Sequence, residues 1–172
     1  MTIARYFLCV VAACAATVAL ALNLPANDQQ ENHMKKSVTY LNLLRHTPFF
    51  TRLSTPQLKW VIAHSTEWEA EAGMEVSNRA GADEYLWVLL DGGWQVEQGG
   101  HVFKAGHADA AKWYGGTKAA LLPPDSRLVA NQHSFVMRIR TADFEEMLRQ
   151  RFDFDEHLRA GEAFYEAELT SM

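Results

Sequence analysis

Three histidines are the first residues in this sequence whose side chains suggest chemistry. His101 and His107 are separated by five residues across a predicted turn, and His133 follows further along the chain. Imidazole nitrogens bind zinc and iron, so the three side chains could together hold a metal ion. Spacing alone is a weak indication of a metal site, and we interpret these histidines as solvated surface residues. The sequence therefore predicts no metal ligands and no cofactor.

An aromatic pair next to two glycines is a second candidate, at Trp113-Tyr114-Gly115-Gly116. Rings beside flexible glycines can stack on a planar ligand, and Lys112, Lys118 or Arg127 can neutralise an anion nearby. The predicted ligand-binding residues are therefore Trp113, Tyr114, Lys118 and Arg127. Alternatively, the two rings fill the protein interior, as large aromatic side chains commonly do, and we favour this interpretation.

Catalytic groups are not indicated by the sequence. Ser126 and Ser134 lack the strand-turn-helix context of an activated serine. Both cysteines, Cys9 and Cys14, lie within the first 22 residues, which leaves the rest of the chain without a cysteine nucleophile, a disulfide or a cysteine-bound zinc. No acidic pair has a catalytic pattern either, and we predict that the protein is not an enzyme.

The composition indicates a globular domain that does not bind nucleic acid. Of the 172 residues, 48% are hydrophobic and 22% are charged, which suits a chain with a folded core. The formal net charge is −5, and the lysines and arginines are scattered rather than clustered. An acidic surface of this kind repels phosphate backbones.

Helical patterns are found on both sides of the middle of the chain. Ser54-Thr55-Pro56 predicts the start of a helix that runs to about Ser65, because a hydroxyl residue caps the helix and proline suits its first turn. Thr141 predicts the start of a C-terminal helix, with a bend near residues 152–154 and an end at Ala167.

Glycines divide the middle of the chain into short segments with strand character. Turn signals every eight to twelve residues are typical of a small antiparallel sandwich or barrel. The Gly99-Gly100 pair predicts a two-residue hairpin turn. Trp87 is expected to be more buried than Trp113, because it lies in a continuous apolar strand. The predicted strands are residues 74–76, 85–90, 94–97, 101–104, 127–130 and 135–139.

Five short motifs follow one another in an order that resembles one family of β-roll domains. They are Pro48-Phe49-Phe50 with Leu53-Ser54 and Gln57-Leu58, Ala72-Gly73-Met74 with Val76 and Gly81, residues 86–92, Ala105-Gly106, and Thr141-Ala142-Asp143-Phe144 with Met147-Leu148. Together they resemble cyclic-nucleotide-binding domains, whose roll is a cupin-like jelly roll. The resemblance implies a mainly β fold, a β-roll flanked by N-terminal helices and a C-terminal helix. It places the β-roll domain at residues 37–150 and a helical tail at residues 151–172.

The resemblance fails at the segment that holds the nucleotide in that family. There, a short helix with a Gly-Glu pair and an arginine bind the cyclic phosphate, because a buried anion needs N–H donors and a cation. The corresponding residues 107–127 contain no Gly-Glu pair. Pro124 stands near the expected arginine position, and Arg127 follows about three residues later. The cupin metal pattern of two histidines and a glutamate is also absent.

The predicted function is therefore a non-catalytic sensor or interaction module that does not bind cyclic nucleotides in the family mode. One alternative is a binder of another planar or anionic small molecule in the roll. Another alternative is a cupin-like metal-dependent enzyme that uses the three histidines.

The C-terminal tail is amphipathic, so it either pairs with a second copy or another protein, or packs on its own roll. Its apolar aromatic residues are Phe152, Phe154, Phe164 and Tyr165.

The amino terminus predicts export. Residues 7–22 are an uncharged apolar run after Arg5, and Ala19-Leu20-Ala21 is a small-residue cleavage site. Residues 1–22 are therefore predicted to be a signal peptide or a membrane anchor, and residues 23–36 a polar linker. The predicted location is periplasmic or anchored in the inner membrane, with membrane contact only through residues 1–22 if they stay uncleaved. Alternatively, Met34 is the true start and the protein is cytoplasmic; amino-terminal sequencing from the native host distinguishes the two.

Overall fold

The computed structural model describes residues 38–170. The predicted signal peptide or anchor and the polar linker lie outside the described residues. Within these residues, two helices precede the strands, α1 at Val38–His46 and α2 at Thr55–Ala63, with a short 3-10 helix at Pro48–Phe50 between them. Two further helices, α4 at Thr141–Arg149 and α5 at Asp155–Thr170, follow the last strand.

The described part of the chain has eight strands, which form two antiparallel sheets of four strands each. The first sheet has the order β1-β8-β3-β6 and the second the order β2-β7-β4-β5. Apart from the β4–β5 hairpin, consecutive strands alternate between the two sheets, which is the winding of a β-roll, and the predicted fold class is confirmed. The strands are β1 (Ser65–Ala70), β2 (Glu75–Asn78), β3 (Tyr85–Asp91), β4 (Gly93–Gln98), β5 (His101–Gly106), β6 (Trp113–Gly115), β7 (Arg127–Ala130) and β8 (Ser134–Arg140).

The sequence pattern did not predict three of these elements. β1 carries polar residues at most positions and forms by pairing along its whole length with β8. β6 has only three residues and pairs with β3. Helix α3, at Arg79–Glu84, begins where the Asn78 side chain accepts hydrogen bonds from two backbone N–H groups.

Local signals fix the start of α2 and the turn between β4 and β5. The Ser54 side chain accepts a hydrogen bond from the Gln57 N–H, and the Gln57 side chain accepts one from the Ser54 N–H, so the two residues form a capping box. Gly99 and Gly100 have φ angles of 52° and 86°, which the predicted two-residue hairpin turn requires. Both predictions are confirmed, although α2 ends at Ala63 because β1 begins two residues later.

The C-terminal helix was predicted as one bent helix, and the structure corrects it to two. The chain leaves α4 at Arg151, which has a left-handed φ of 59°, and the Phe152 N–H donates to the Met147 carbonyl. Phe152 and Phe154 are then buried in the hydrophobic core. Within the described residues, no helix is both long and apolar enough to cross a membrane.

Candidate functional site

The candidate site is built on the cassette segment, residues 107–126, which connects β5 to β7 and includes β6 and a 3-10 helix at Gly116–Leu121. β6 pairs with β3, so that Trp113 lies opposite Val88 and Tyr114 opposite Trp87. Neighbouring side chains on a strand point to opposite faces of the sheet. The predicted aromatic pair is therefore divided between the two faces of the first sheet.

Tyr114 fills the space between the two sheets. Its side chain is fully buried, and its hydroxyl lies 3.0 Å from the Ser126 hydroxyl, next to the start of β7 in the second sheet. Burial raises the pKa of Tyr114, and the phenol therefore stays neutral. The ring of Tyr114 therefore fills the interior of the roll at this position, and its hydroxyl has a hydrogen-bond partner.

Trp113 packs on the opposite face of the sheet, against α5. Its indole N–H donates to the His157 carbonyl at 2.9 Å, and the Tyr165 hydroxyl donates to the Trp113 carbonyl at 2.7 Å. Trp113 is 1% exposed and Trp87 is 4% exposed, so the prediction that Trp87 is the more buried of the two is wrong. The reason is that α5 covers Trp113, a contact that no local sequence pattern specifies.

Both predicted cations are paired with carboxylates. The Lys118 ammonium lies 2.7 Å from a Glu162 carboxylate oxygen. The Arg127 guanidinium lies 2.6 Å from Glu97 and 3.5 Å from Glu75, and it is exposed on the second sheet, whereas the next residue, Leu128, is fully buried. Of the four predicted ligand residues, two are thus buried on opposite faces, and the other two form separate ion pairs.

The backbone of the cassette segment requires glycine where β6 meets the 3-10 helix. Gly115 has a φ of 84°, and a methyl group there would lie 2.6 to 2.8 Å from backbone atoms of Ala82 and Tyr85. Asp125 stands immediately before Ser126, and its carboxylate accepts a hydrogen bond from the Gly99 N–H at 3.1 Å. This end of the cassette segment therefore carries a carboxylate, and the nearest arginine in sequence, Arg127, is paired with Glu97 and Glu75.

A cleft of about 720 Å³ lies beside the 3-10 helix and is bounded by α4 and α5. Its charged residues are of both signs: Lys118, Arg151, Arg159, Asp153, Asp155 and Glu162. Of the predicted ligand residues, only Lys118 lines it. The cleft forms where the chain breaks between α4 and α5. The sequence pattern did not predict it, and only the many charged residues of the C-terminal tail could have indicated it.

The structure does not assemble the three histidines. His101 begins β5 and His107 follows its end, so about 20 Å of extended chain separates them at roughly 3.3 Å per residue. His107 lies 3.5 Å from Asp91, and His133 hydrogen-bonds Glu69. His133 instead forms an exposed group with Glu69 and Glu71, whose ligand atoms lie within 4.8 Å of one another. The hypothesis of a site made of His101, His107 and His133 is therefore not supported by the geometry.

His157 in α5 is partly buried beside Lys112 of the cassette segment. Its ring stacks on Phe49 with 5.5 Å between centroids, and its Nε2 atom is buried without a hydrogen-bond partner among the described residues. Burial lowers the pKa of His157, and the ammonium of Lys112 lowers it further. Burial also lowers the pKa of Lys112, whose ammonium donates to the Asp109 carbonyl at 2.8 Å.

Acidification should therefore loosen the contact between α5 and the roll. Because the folded pKa of His157 lies below its unfolded value, its contribution to stability is complete above about pH 6.5 and is lost as the pH falls through the folded pKa. The melting temperature should drop less between pH 7.5 and pH 5 in His157→Phe than in the wild-type protein.

A control with the opposite sign is available at His133. Its hydrogen bond to Glu69 raises the pKa of His133, so its contribution is present at low pH and is lost as the pH rises through the folded pKa. His133→Gln should consequently lose more stability on acidification than the wild-type protein. Identical pH profiles for all three proteins would contradict the assignment of His157.

No family model matches this chain, and no curated protein matches it. Solved structures do. PKAR CBD2 bound to Sp-2Cl-cAMPS superposes with a TM-score of 0.58 at 16% identity, over 77% of this chain and 90% of that one. The sensor domain of the transcriptional regulator DNR from Pseudomonas aeruginosa gives 0.53 at 17% identity, over 70% and 88%. A putative cyclic nucleotide-binding protein from Geobacter metallireducens gives 0.53 at 22% identity, over 74% and 95%.

These similarities define the class of domain. The described chain has the fold of cyclic-nucleotide-binding domains, with an eight-stranded roll between N-terminal and C-terminal helices. The resemblance given by the sequence motifs is confirmed at the level of fold.

Proposed function

We propose that this chain is a non-catalytic sensor or interaction module that does not bind cyclic nucleotides in the manner of its structural relatives. The observation that carries the proposal is Tyr114. Its buried ring occupies the interior of the roll at the cassette segment, and its hydroxyl is satisfied by Ser126. A cyclic phosphate would have to displace this ring and leave buried polar groups without partners.

The charges around the cassette segment support the same proposal. A buried phosphate requires a cation and several N–H donors. Arg127 is directed to Glu97 and Glu75 on the outside of the second sheet, and Asp125 adds a negative charge next to Ser126. Arg127, the arginine closest in sequence to the position that the family uses, is therefore directed away from the interior of the roll.

Titration calorimetry with cyclic AMP and cyclic GMP tests the proposal. Neither nucleotide should bind with a Kd tighter than several hundred micromolar. The variant Tyr114→Ala is a useful companion, because it opens space in the roll but supplies no cation, and it should also show no tight binding. A submicromolar Kd for the wild-type protein would show that the cassette segment rearranges around a nucleotide, and the proposal would then be wrong.

A second candidate function is binding of a different small molecule, planar or anionic. The cleft beside the 3-10 helix favours it, since its size is within the range of ligand sites and Lys118, Arg151 and Arg159 line it. A thermal-shift screen tests this function, because a ligand at 100 times its Kd adds about 2.7 kcal/mol of stability. A stabilising hit that is retained in Lys118→Gln and Arg159→Gln would place its site elsewhere.

The C-terminal helix is the proposed surface for a protein partner or a second copy. Phe152, Phe154 and Tyr165 are buried within the chain, which means that a partner would contact the outward face of α5 rather than these rings.

We also propose that the domain acts outside the cytoplasm. That proposal is supported by the apolar run and cleavage site in residues 1–22.

A further inference from the structure

A polar cavity of about 380 Å³ lies on the first sheet, where β1, β3 and β8 meet the start of α4. Arg138 and Arg140 of β8 line it, together with Thr66, Tyr85 and Asp143. In the sheet, Arg138 is paired with Thr66 on one side and with Trp87 on the other, while Arg140 is paired with Tyr85. The two arginines are two residues apart on one strand and therefore project from the same face.

Arg138 is held in place by aromatic rings rather than by a carboxylate. Its guanidinium lies 5.3 Å from the centroid of Trp68 and 5.1 Å from the centroid of Tyr85. A cation–π contact of this kind attracts the charge of the guanidinium to the ring and does not require its N–H groups to bond an acceptor, so they can donate to a ligand. In residues 38–170, no carboxylate lies within ion-pair distance of Arg138, which is only partly exposed.

Further donors surround the cavity. Arg140, also without an ion pair in the described chain, precedes α4 as its N-cap and gives the helix no side-chain cap. Thr66 and Tyr85, which carry hydroxyl groups, also line the cavity. Asp143 is the one acidic residue in the lining. The cavity thus combines two cations, several donors and one carboxylate.

We propose that this cavity binds a small oxyanion, the carboxylate or phosphate group of a small molecule, through Arg138 and Arg140. The aromatic contacts fix the orientation of the Arg138 guanidinium, which suits it to bidentate recognition of two oxygens. Asp143 repels a bare anion and accepts a hydrogen bond from a hydroxyl or ammonium group elsewhere on the ligand. The site is separate from the cassette segment and goes beyond the function proposed above.

The test is titration calorimetry of the full chain with inorganic phosphate and with citrate, at ionic strength held constant with sodium chloride. We expect the preferred anion to bind with a Kd on the order of 1 mM. Arg138→Gln should weaken binding at least tenfold, and Arg138→Lys should weaken it as well, because lysine keeps the charge but loses the planar fork. A preference for phosphate over citrate identifies the ligand group as phosphate, and the reverse preference identifies it as carboxylate.

Two variants separate a specific site from general surface charge. Arg127→Gln removes the same charge from an arginine that is already paired with Glu97 and Glu75, and it should leave the Kd unchanged. Asp143→Asn removes the opposing carboxylate and should tighten binding several-fold, which a purely structural role for Arg138 would not produce. If Arg127→Gln weakens binding as much as Arg138→Gln, or if Asp143→Asn leaves binding unchanged, the proposal is overturned.

Discussion

Replacing Phe154 with alanine is expected to lower the free energy of unfolding by about 3–5 kcal/mol. The ring is fully buried and lies at the centre of an aromatic cluster, 5.0 Å from Phe49, 5.2 Å from Phe144 and 6.3 Å from both Phe50 and Phe152. It therefore joins α5 to the N-terminal 3-10 helix and to α4. Truncation removes these contacts and leaves a cavity that the surrounding helices cannot fully close.

Urea unfolding followed by circular dichroism measures this effect, and Phe164→Ala is the matched control. Phe164 is also in α5 but is only partly buried, and its ring contact is with Tyr165 at 5.6 Å. Its truncation should lower the free energy of unfolding by less than half as much. Equal losses for the two variants would show that the aromatic cluster does not anchor α5 as the structure indicates.

Gly161→Ala is expected to destabilise the protein by about 1–3 kcal/mol, although alanine normally favours a helix over glycine by about 1 kcal/mol. Gly161 lies within α5 against the ring of Trp113. A methyl group at this position would lie 2.5 Å from Cε2 and 2.8 Å from Cζ2 of that ring. Trp113 cannot retreat easily, because it is buried and its N–H is bonded to the His157 carbonyl.

A double-mutant cycle isolates this close approach. In a Trp113→Leu background the smaller side chain leaves room for the methyl group, so Gly161→Ala should become neutral or stabilising. Ala160→Gly, at the neighbouring exposed position, should cost only about 1 kcal/mol through helix propensity. If Gly161→Ala destabilises both backgrounds equally, α5 does not pack against Trp113 in solution.

Features with local causes could be predicted from the amino-acid sequence. The capping box at Ser54 and Gln57 needs only residues three apart, and the hairpin at Gly99 and Gly100 needs only positive φ angles. The strand β3 was likewise predicted from its continuous run of apolar residues, and the structure buries that run. Each of these signals acts through the backbone or through hydrophobicity within a few residues, which is why a pattern in the sequence can specify it.

The positions of the candidate site residues depend on the tertiary structure. β1 and β6 are strands because β8 and β3 supply their hydrogen bonds, and pairing over such distances leaves little trace in a short segment. The pairing of β6 with β3 placed Tyr114 inside the roll and Trp113 under α5. The pairing of β7 with β2 and β4 brought Arg127 next to Glu75 and Glu97. Which face a side chain takes depends on register, and register is fixed by the partner strand rather than by the residue itself. For the same reason, the cation–π contacts of Arg138 with Trp68 and Tyr85 could be found only in the folded sheet.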